Sequence, residues 1–386
     1  METFDVAIVG AGVHGASAGF HLSQEGVRVV IFDQGGPASG PTGRSSAICR
    51  AYYTNRVLAE VARDSLAMLR SFAEITGGRD AGFRQTGFLF LHPSQQVERL
   101  SWAAGQLNEL GTAIQLFSHD DLPSAFPLIN PDGVGMAAWE PGAGYADPVG
   151  VTQGLFERAV EFGAVPRLYT RVVKIVPRVG GGAILEIHDG SMVECHRLLL
   201  AAGPWTSALT GLMGVSLPLT VERHIVVTLR WSQAKRLPFG HADLINGYYC
   251  RPEGQELFCV GPLEPAEQVD PDAFSESVTD REASKLAEAV LHRVPQMNDA
   301  LVHGGWASLY DVSPDWQPII GEIADGIFVD AGTSGHGFKL APALGKLVAA
   351  MLMGRQPHPG FGQFHPRRFR AAGPIEAGYG SAKILG

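Results

Sequence analysis

The chain has 386 residues, 45% hydrophobic and 18% charged, a soluble globular composition with room for two domains or one large α/β unit carrying an insertion. Its 39 acidic and 30 basic side chains give a formal charge of −9, which excludes a general phosphate-backbone binder and disfavours an anionic membrane surface. Cys49, Cys195, Cys250 and Cys259 form no C-x-x-C pair, so neither a zinc site nor a disulfide framework is expected.

The first strand is predicted to begin at about Asp5, with no signal peptide before it. No uncharged apolar run approaches the roughly 20 residues that span a bilayer. Together with four reduced thiols, this predicts a soluble cytoplasmic protein.

Residues 5–33, DVAIVGAGVHGASAGFHLSQEGVRVVIFD, read as a β-α-β unit. The continuous apolar run VAIV suits a strand covered on both faces. Gly10, Gly12 and Gly15 make G-x-G-x-x-G. The first allows the tight turn, the second admits a pyrophosphate, and the third lets helix pack on strand. The helix N-terminus offers N–H groups and partial positive charge to phosphates, and Asp33 is placed to meet an adenosine ribose. A dinucleotide site is the expectation.

Residues 40–53, GPTGRSSAICRAYY, then place Arg44 and Arg50 on either side of two serines, Ser45 and Ser46. VLAEVARDSLAMLRSFAEI follows as a helix with Leu58, Val61, Leu66, Leu69 and Phe72 in one stripe, a packing face. GFLFLH and DGVGMAAWE read as strands of another unit, and YADPVGVTQGLFERAVEFGA as a helix. TRVVKIVP, GAILEIHD and SMVECHRLLLAAG are three strands, the last apolar enough to rejoin the central sheet. Residues 215–265 are rich in strand signals, and SESVTDREASKLAEAVLHRV is an amphipathic helix with an acidic start.

The chain ends in a second strand–loop–helix unit, GIFVDAGTSGHGFKLAPALGKLVAAML. Gly335 and Gly337 bracket His336 there, and Lys339 falls in the first turn of the helix. A cation at that end opposes the helix dipole, so a ligand explains it better than packing.

VGAGVHGASAGFHL, GPTGRSSAICRAYY, LLLAAGPW, GYYCRPEG, YDVSPDWQPIIG and GTSGHGFKLAPALG occur in an order that resembles the FAD-dependent D-amino-acid oxidase superfamily. Within it the chain is most similar to the sarcosine oxidase, dimethylglycine dehydrogenase and glycine oxidase group. The resemblance implies an α/β glutathione-reductase-type FAD domain from residues 1–80, 145–214 and 305–386. An interleaved antiparallel-sheet substrate domain would comprise 81–144 and 215–304.

By the same resemblance, Gly10, Gly12, Gly15 and Asp33 hold the ADP half of FAD, while Arg44, Ser45 and Ser46 meet pyrophosphate and flavin. Val173 meets the adenine by its backbone, and Ala202, Gly203 and Trp205 border the ribityl chain. Gly335, His336, Gly337, Phe338 and Lys339 run beside the isoalloxazine. Arg50 and Lys339 clamp a substrate carboxylate, and Tyr249, with Tyr248 beside it, stands at an active-site tyrosine. His336 or Lys339 supplies charge to the reduced flavin.

The implied reaction is oxidation of the C–N bond of a small amino acid, secondary or N-methyl, by hydride transfer to flavin N5, with hydrolysis of the imine. Alternatives are a 2-hydroxy-acid oxidoreductase of the same fold, or an electron-relay subunit of a larger complex. Three departures qualify the likeness. Ser308 stands where monomeric sarcosine oxidases attach FAD through cysteine, and Arg44 where dimethylglycine dehydrogenases use histidine, so non-covalent FAD is expected. Phe258 or Cys259 replaces a lysine that assists oxygen reduction, which favours a dehydrogenase, with another electron acceptor or further subunits as its partners.

Overall fold

A β-α-β unit opens the chain: strand Glu2–Val9, helix Val13–Gln24 and strand Val29–Phe32. The first strand lies between parallel partners Val29–Phe32 and Met192–Leu200, which explains its uninterrupted apolar run. Gly10 follows it with φ of +114°, and a Cβ there would lie 2.3 Å from the carbonyl oxygen of Ala201. Only glycine fits that turn. The helix packs so closely that a Cβ on Gly15 would lie 1.9 Å from the Gly10 carbonyl oxygen.

The computed structural model describes residues 1–371 and 373–375. Residues 376–386, the tail of the expected cofactor domain, lie outside the described residues. The first sheet runs Ile319–Ala324, Ile327–Ala331, Met192–Leu200, Glu2–Val9, Val29–Phe32, Val165–Arg167, and strands Val172–Pro177 and Ala183–Ile187 branch from it. Its inner pairings are parallel. Helices Val13–Gln24, Pro148–Glu161 and Gly337–Leu352 pack together, the first touching both others.

The second sheet runs Leu301–Val312, Thr220–Arg230, Leu257–Pro262, Tyr248–Glu253, Gly240–Asp243, Phe88–His92, Met136–Glu140, Gln115–Ser118. All but one of its pairings are antiparallel. Strand Leu301–Val312 pairs along its length with Thr220–Arg230, and the chain returns to the first sheet after Val312. A bridge between Val312 and Thr333 ties that crossing to the last glycine-rich loop.

The stripe-bearing helix is divided in two, Arg56–Arg70 and Phe72–Thr76. Ser71 breaks it: its hydroxyl donates to the Ala67 carbonyl at 3.1 Å, a back-bond that bends helices. Asn55 caps the start, accepting from the amides of Val57 and Leu58 at 3.1 and 3.3 Å. Its side-chain amide also donates to Gln363 at 2.9 Å. Asn55→Ala is expected to cost about 1 kcal/mol, read as a lower urea midpoint at unchanged slope. Asn55→Asp should recover the cap contribution, and an Asp variant as unstable as Ala would show that the Gln363 contact matters more.

Candidate active site

A cavity of about 890 Å³ lies between the two sheets and is lined by the starts of helices Val13–Gln24 and Gly337–Leu352. Its lining includes Asp33, Gly35 and Val173, Gly10, Gly12, Thr42 and Ala202, and Gly335 and Phe338. A smaller recess of about 50 Å³ shares Ser45, Ser46, Tyr249 and Tyr310 with it and adds Arg50 and Lys339.

Pro41–Arg44 forms one 3-10 turn, and Ile48–Cys49 pairs with Gly144–Tyr145. The Val13 amide donates to the Thr42 hydroxyl at 3.3 Å, drawing this segment over the first helix N-terminus. Arg251, buried behind it, donates to the Ser46 carbonyl at 2.5 Å.

Arg44 lines the large cavity, yet its guanidinium already pairs with Glu276 at 2.7 Å near the surface. Asp33 accepts from the amides of Ala11 and Gly35, both at 2.7 Å, and each carboxylate oxygen keeps a second lone pair for a sugar hydroxyl. Gly203 and Trp205 line the cavity, the indole donating to Asp272 at 2.8 Å. Gly15 lines neither cavity and serves helix packing.

Arg50 is 3% exposed. It donates to the Tyr52 carbonyl at 2.5 Å, and its guanidinium carbon sits 4.7 Å from the Tyr53 ring centroid. Behind it Glu140 accepts from the amides of Ala51 and Tyr52 at 2.7 and 3.2 Å. Burial pushes Glu140 up to about 7, against the Ala51 hydrogen bond and the charge of Arg50. Lys339 donates to the Gly335 carbonyl at 3.3 Å. Burial, then the charge of Arg50, pulls its ammonium down to about 7. The recess thus carries two buried cations and no acidic lining residue among those described.

Tyr249 lines both cavities, whereas Tyr248, on the opposite face of the same strand, bonds His241 at 2.9 Å. His336 requires a correction. Fully buried, it lines neither cavity and meets the Tyr53 hydroxyl at 3.1 Å. Ser334 and Gly335 take φ of +51° and +83° just before it. That turn brings Gly335 and Gly337 to the cavity and sends the imidazole between them into the core. His336 supports the ring beneath Arg50.

Residues not singled out from the sequence complete the site. Tyr310 lines both cavities and stacks on His224 at 3.9 Å. His14, Asp311 and Asp330 line the large cavity, with His14 Nδ1 2.9 Å from Asp330. Tyr310 and Asp311 sit in the quoted YDVSPD motif, so a signal existed for them; none existed for the pairing of His14 with Asp330. Ser308 lines the large cavity, while Phe258, Cys259 and the other cysteines line neither. Among the described residues no cluster could hold a metal ion, and no helix is long and apolar enough to cross a membrane.

Two helix N-termini for negative charge, the small-residue strand end at Ala201–Gly203 and a carboxylate at the far end fit a dinucleotide. A recess lined by Arg50 and Lys339 adjoins it. The chain belongs to the DAO family, FAD dependent oxidoreductase, which matches residues 5–351. FAD is that family's cofactor.

Rat mitochondrial dimethylglycine dehydrogenase is 25% identical over 95% of this chain, which spans 45% of that protein's length. Glycine oxidase of Geobacillus kaustophilus (strain HTA426) is 26% identical over 90% of this chain and 93% of its own. The crystal structure of L-proline dehydrogenase from P. horikoshii superposes with a TM-score of 0.87 at 22% identity, covering 97% of this chain and 100% of that one. It shares the α/β fold with its paired sheets.

Proposed function

We propose that this chain oxidises the C–N bond of a small amino acid, secondary or N-methyl substrates first, to an imine that water then hydrolyses. The recess carries the reading: two buried basic side chains, no acidic lining residue among those described, and lining residues shared with the cofactor cavity. A substrate carboxylate would complement their charge. Arg50 offers it a planar fork and Lys339 a point charge, so the carboxylate is fixed in direction as well as place. Anchoring at one end holds the amine-bearing carbon near Tyr249 and Tyr310, and positioning of this kind is most of what such a reaction asks of a protein.

Gly10, Gly12 and Asp33 would hold the ADP half of FAD, Ser45 and Ser46 its middle, and Gly335 to Lys339 its ring. Bound FAD supplies the two-electron acceptor. Non-covalent binding is supported by Ser308 and Arg44 at the two attachment positions and by the absence of every cysteine from both linings. Lys339 is the sole lysine lining either cavity among the described residues, which favours a dehydrogenase over a fast oxidase. The names of dimethylglycine dehydrogenase and glycine oxidase agree with this substrate class. A 2-hydroxy-acid substrate would need a histidine base, and no histidine lines the recess.

The test is direct. The purified protein should be yellow and release FAD on acid precipitation. It should bleach anaerobically with one or more N-methyl, cyclic or D-amino acids but not with the matching hydroxy acids. Bleaching by hydroxy acids alone would sink the amine reading, and rapid reoxidation in air would reverse the dehydrogenase preference.

A further inference from the structure

His14 occupies the first turn of the first helix, yet its ring reaches across to the other helix that faces the cofactor. Its Nδ1 lies 2.9 Å from Asp330 Oδ2, on the strand that leads into the last glycine-rich loop. Its Nε2 lies behind Gly337, the first residue of the last helix; a Cβ on Gly337 would be 2.8 Å from it. Asp330 and Asp311, 2% and 8% exposed, line the same cavity, and Asp311 accepts from the Gly332 amide at 2.6 Å.

We propose that His14 is a positioning residue for the cofactor, setting a positive charge behind the N-terminus of the last helix that makes bound FAD easier to reduce. The inference rests on the reading that Gly335 to Lys339 run beside the isoalloxazine ring. Reduction adds negative charge there, and a fixed cation in a dry site favours the state that carries it. The helix N-terminus acts in the same sense, at about half an elementary charge.

A histidine placed against a helix N-terminus would ordinarily lose its proton. Burial does pull His14 down, but the charge and hydrogen bond of Asp330, then the charge of Asp311 and the Gly337 backbone, outweigh it and the net shift is upward. Burial pushes Asp311 up, against the Gly332 hydrogen bond and the charge of His14. The groups facing His14 are thus Asp330 on one strand, Asp311 on another and the Gly337 backbone. Its charge is present at low pH and is lost as pH rises through a value above the usual 6.5.

The experiment is the flavin midpoint potential of the holoprotein against pH, in wild type and His14→Gln, with FAD affinity measured alongside. Glutamine keeps a donor for Asp330 and loses the charge. At pH 6 the variant should be harder to reduce by about tenfold in the reduced-to-oxidised ratio, or about 30 mV for a two-electron couple. The gap should close as pH rises.

Equal potentials at pH 6, or an offset that ignores pH, would overturn the proposal, since a merely structural histidine gives no pH-dependent gap. If His14→Gln fails to hold FAD, Asp330→Asn is read instead. It keeps the imidazole without its anion, so the inflection in the wild-type curve should move to lower pH; an unmoved inflection overturns the idea. Lys339→Met separates the two readings. If its flavin absorbance spectrum and midpoint potential match wild type, the placement of the flavin beside this segment fails; if only His14→Gln is silent, the inference alone fails.

Discussion

Arg50→Met should abolish most turnover of carboxylate substrates while leaving FAD bound. Removing one partner of a desolvated, hydrogen-bonded charge pair costs about 2–5 kcal/mol, roughly 30- to 5,000-fold in kcat/KM. Methionine suits the test because the guanidinium sits among apolar and aromatic side chains, 4.7 Å from the Tyr53 ring centroid and 5.7 Å from that of Phe90. An unbranched thioether can fill that slot.

The loss should depend on the substrate. An amine lacking the carboxylate gains nothing from Arg50, so its kcat/KM should hardly change and selectivity for the amino acid should collapse. Arg50→Lys should fall between, since it keeps charge but loses the planar fork. A loaded Met variant that turns over the amino acid normally would remove the clamp from the mechanism.

What the sequence made legible was local. The first β-α-β unit and the final strand–loop–helix are written in consecutive residues, glycines at fixed spacing between apolar runs. Arg50 and Lys339 were found through the likeness of two motifs, not through any rule that would bring them together. Side-chain direction was the first thing lost. His336 reads as a site residue until the positive φ of Ser334 and Gly335 turns it into the core.

Long-range pairing was the second. His14 and Asp330 are 316 residues apart, and nothing in either neighbourhood announces the other. The pairing of Arg44 with Glu276 across the surface was equally hidden. The crossover after Val312 is hidden for a related reason. Strand Leu301–Val312 starts exposed and ends buried, so its composition gives no sign of where one sheet yields to the other.

Lys339 should impose a descending limb on the pH profile. A lysine pulled down to about 7 is charged below that pH and loses its charge above it. kcat/KM reports the free enzyme, so carboxylate capture should weaken up to about tenfold per pH unit once pH passes 7. The substrate amine produces an opposing rise, because only the neutral amine reacts.

The ratio of wild type to Lys339→Met cancels that rise. It should be large at pH 6, of the order of the 2–5 kcal/mol argued for Arg50, and fall toward unity by up to about a hundredfold between pH 7 and pH 9. Glu140 titrates in the same window, also at about 7, and its ionisation behind Arg50 would weaken an incoming anion with the same sign. Glu140 does not line the recess, however, and accepts from the amides of Ala51 and Tyr52 behind Arg50. Glu140→Gln should therefore keep the limb that Lys339→Met removes. A limb lost in the glutamine variant and kept in the methionine one would transfer the titration to Glu140 and leave Lys339 a neutral hydrogen-bond donor throughout the working range.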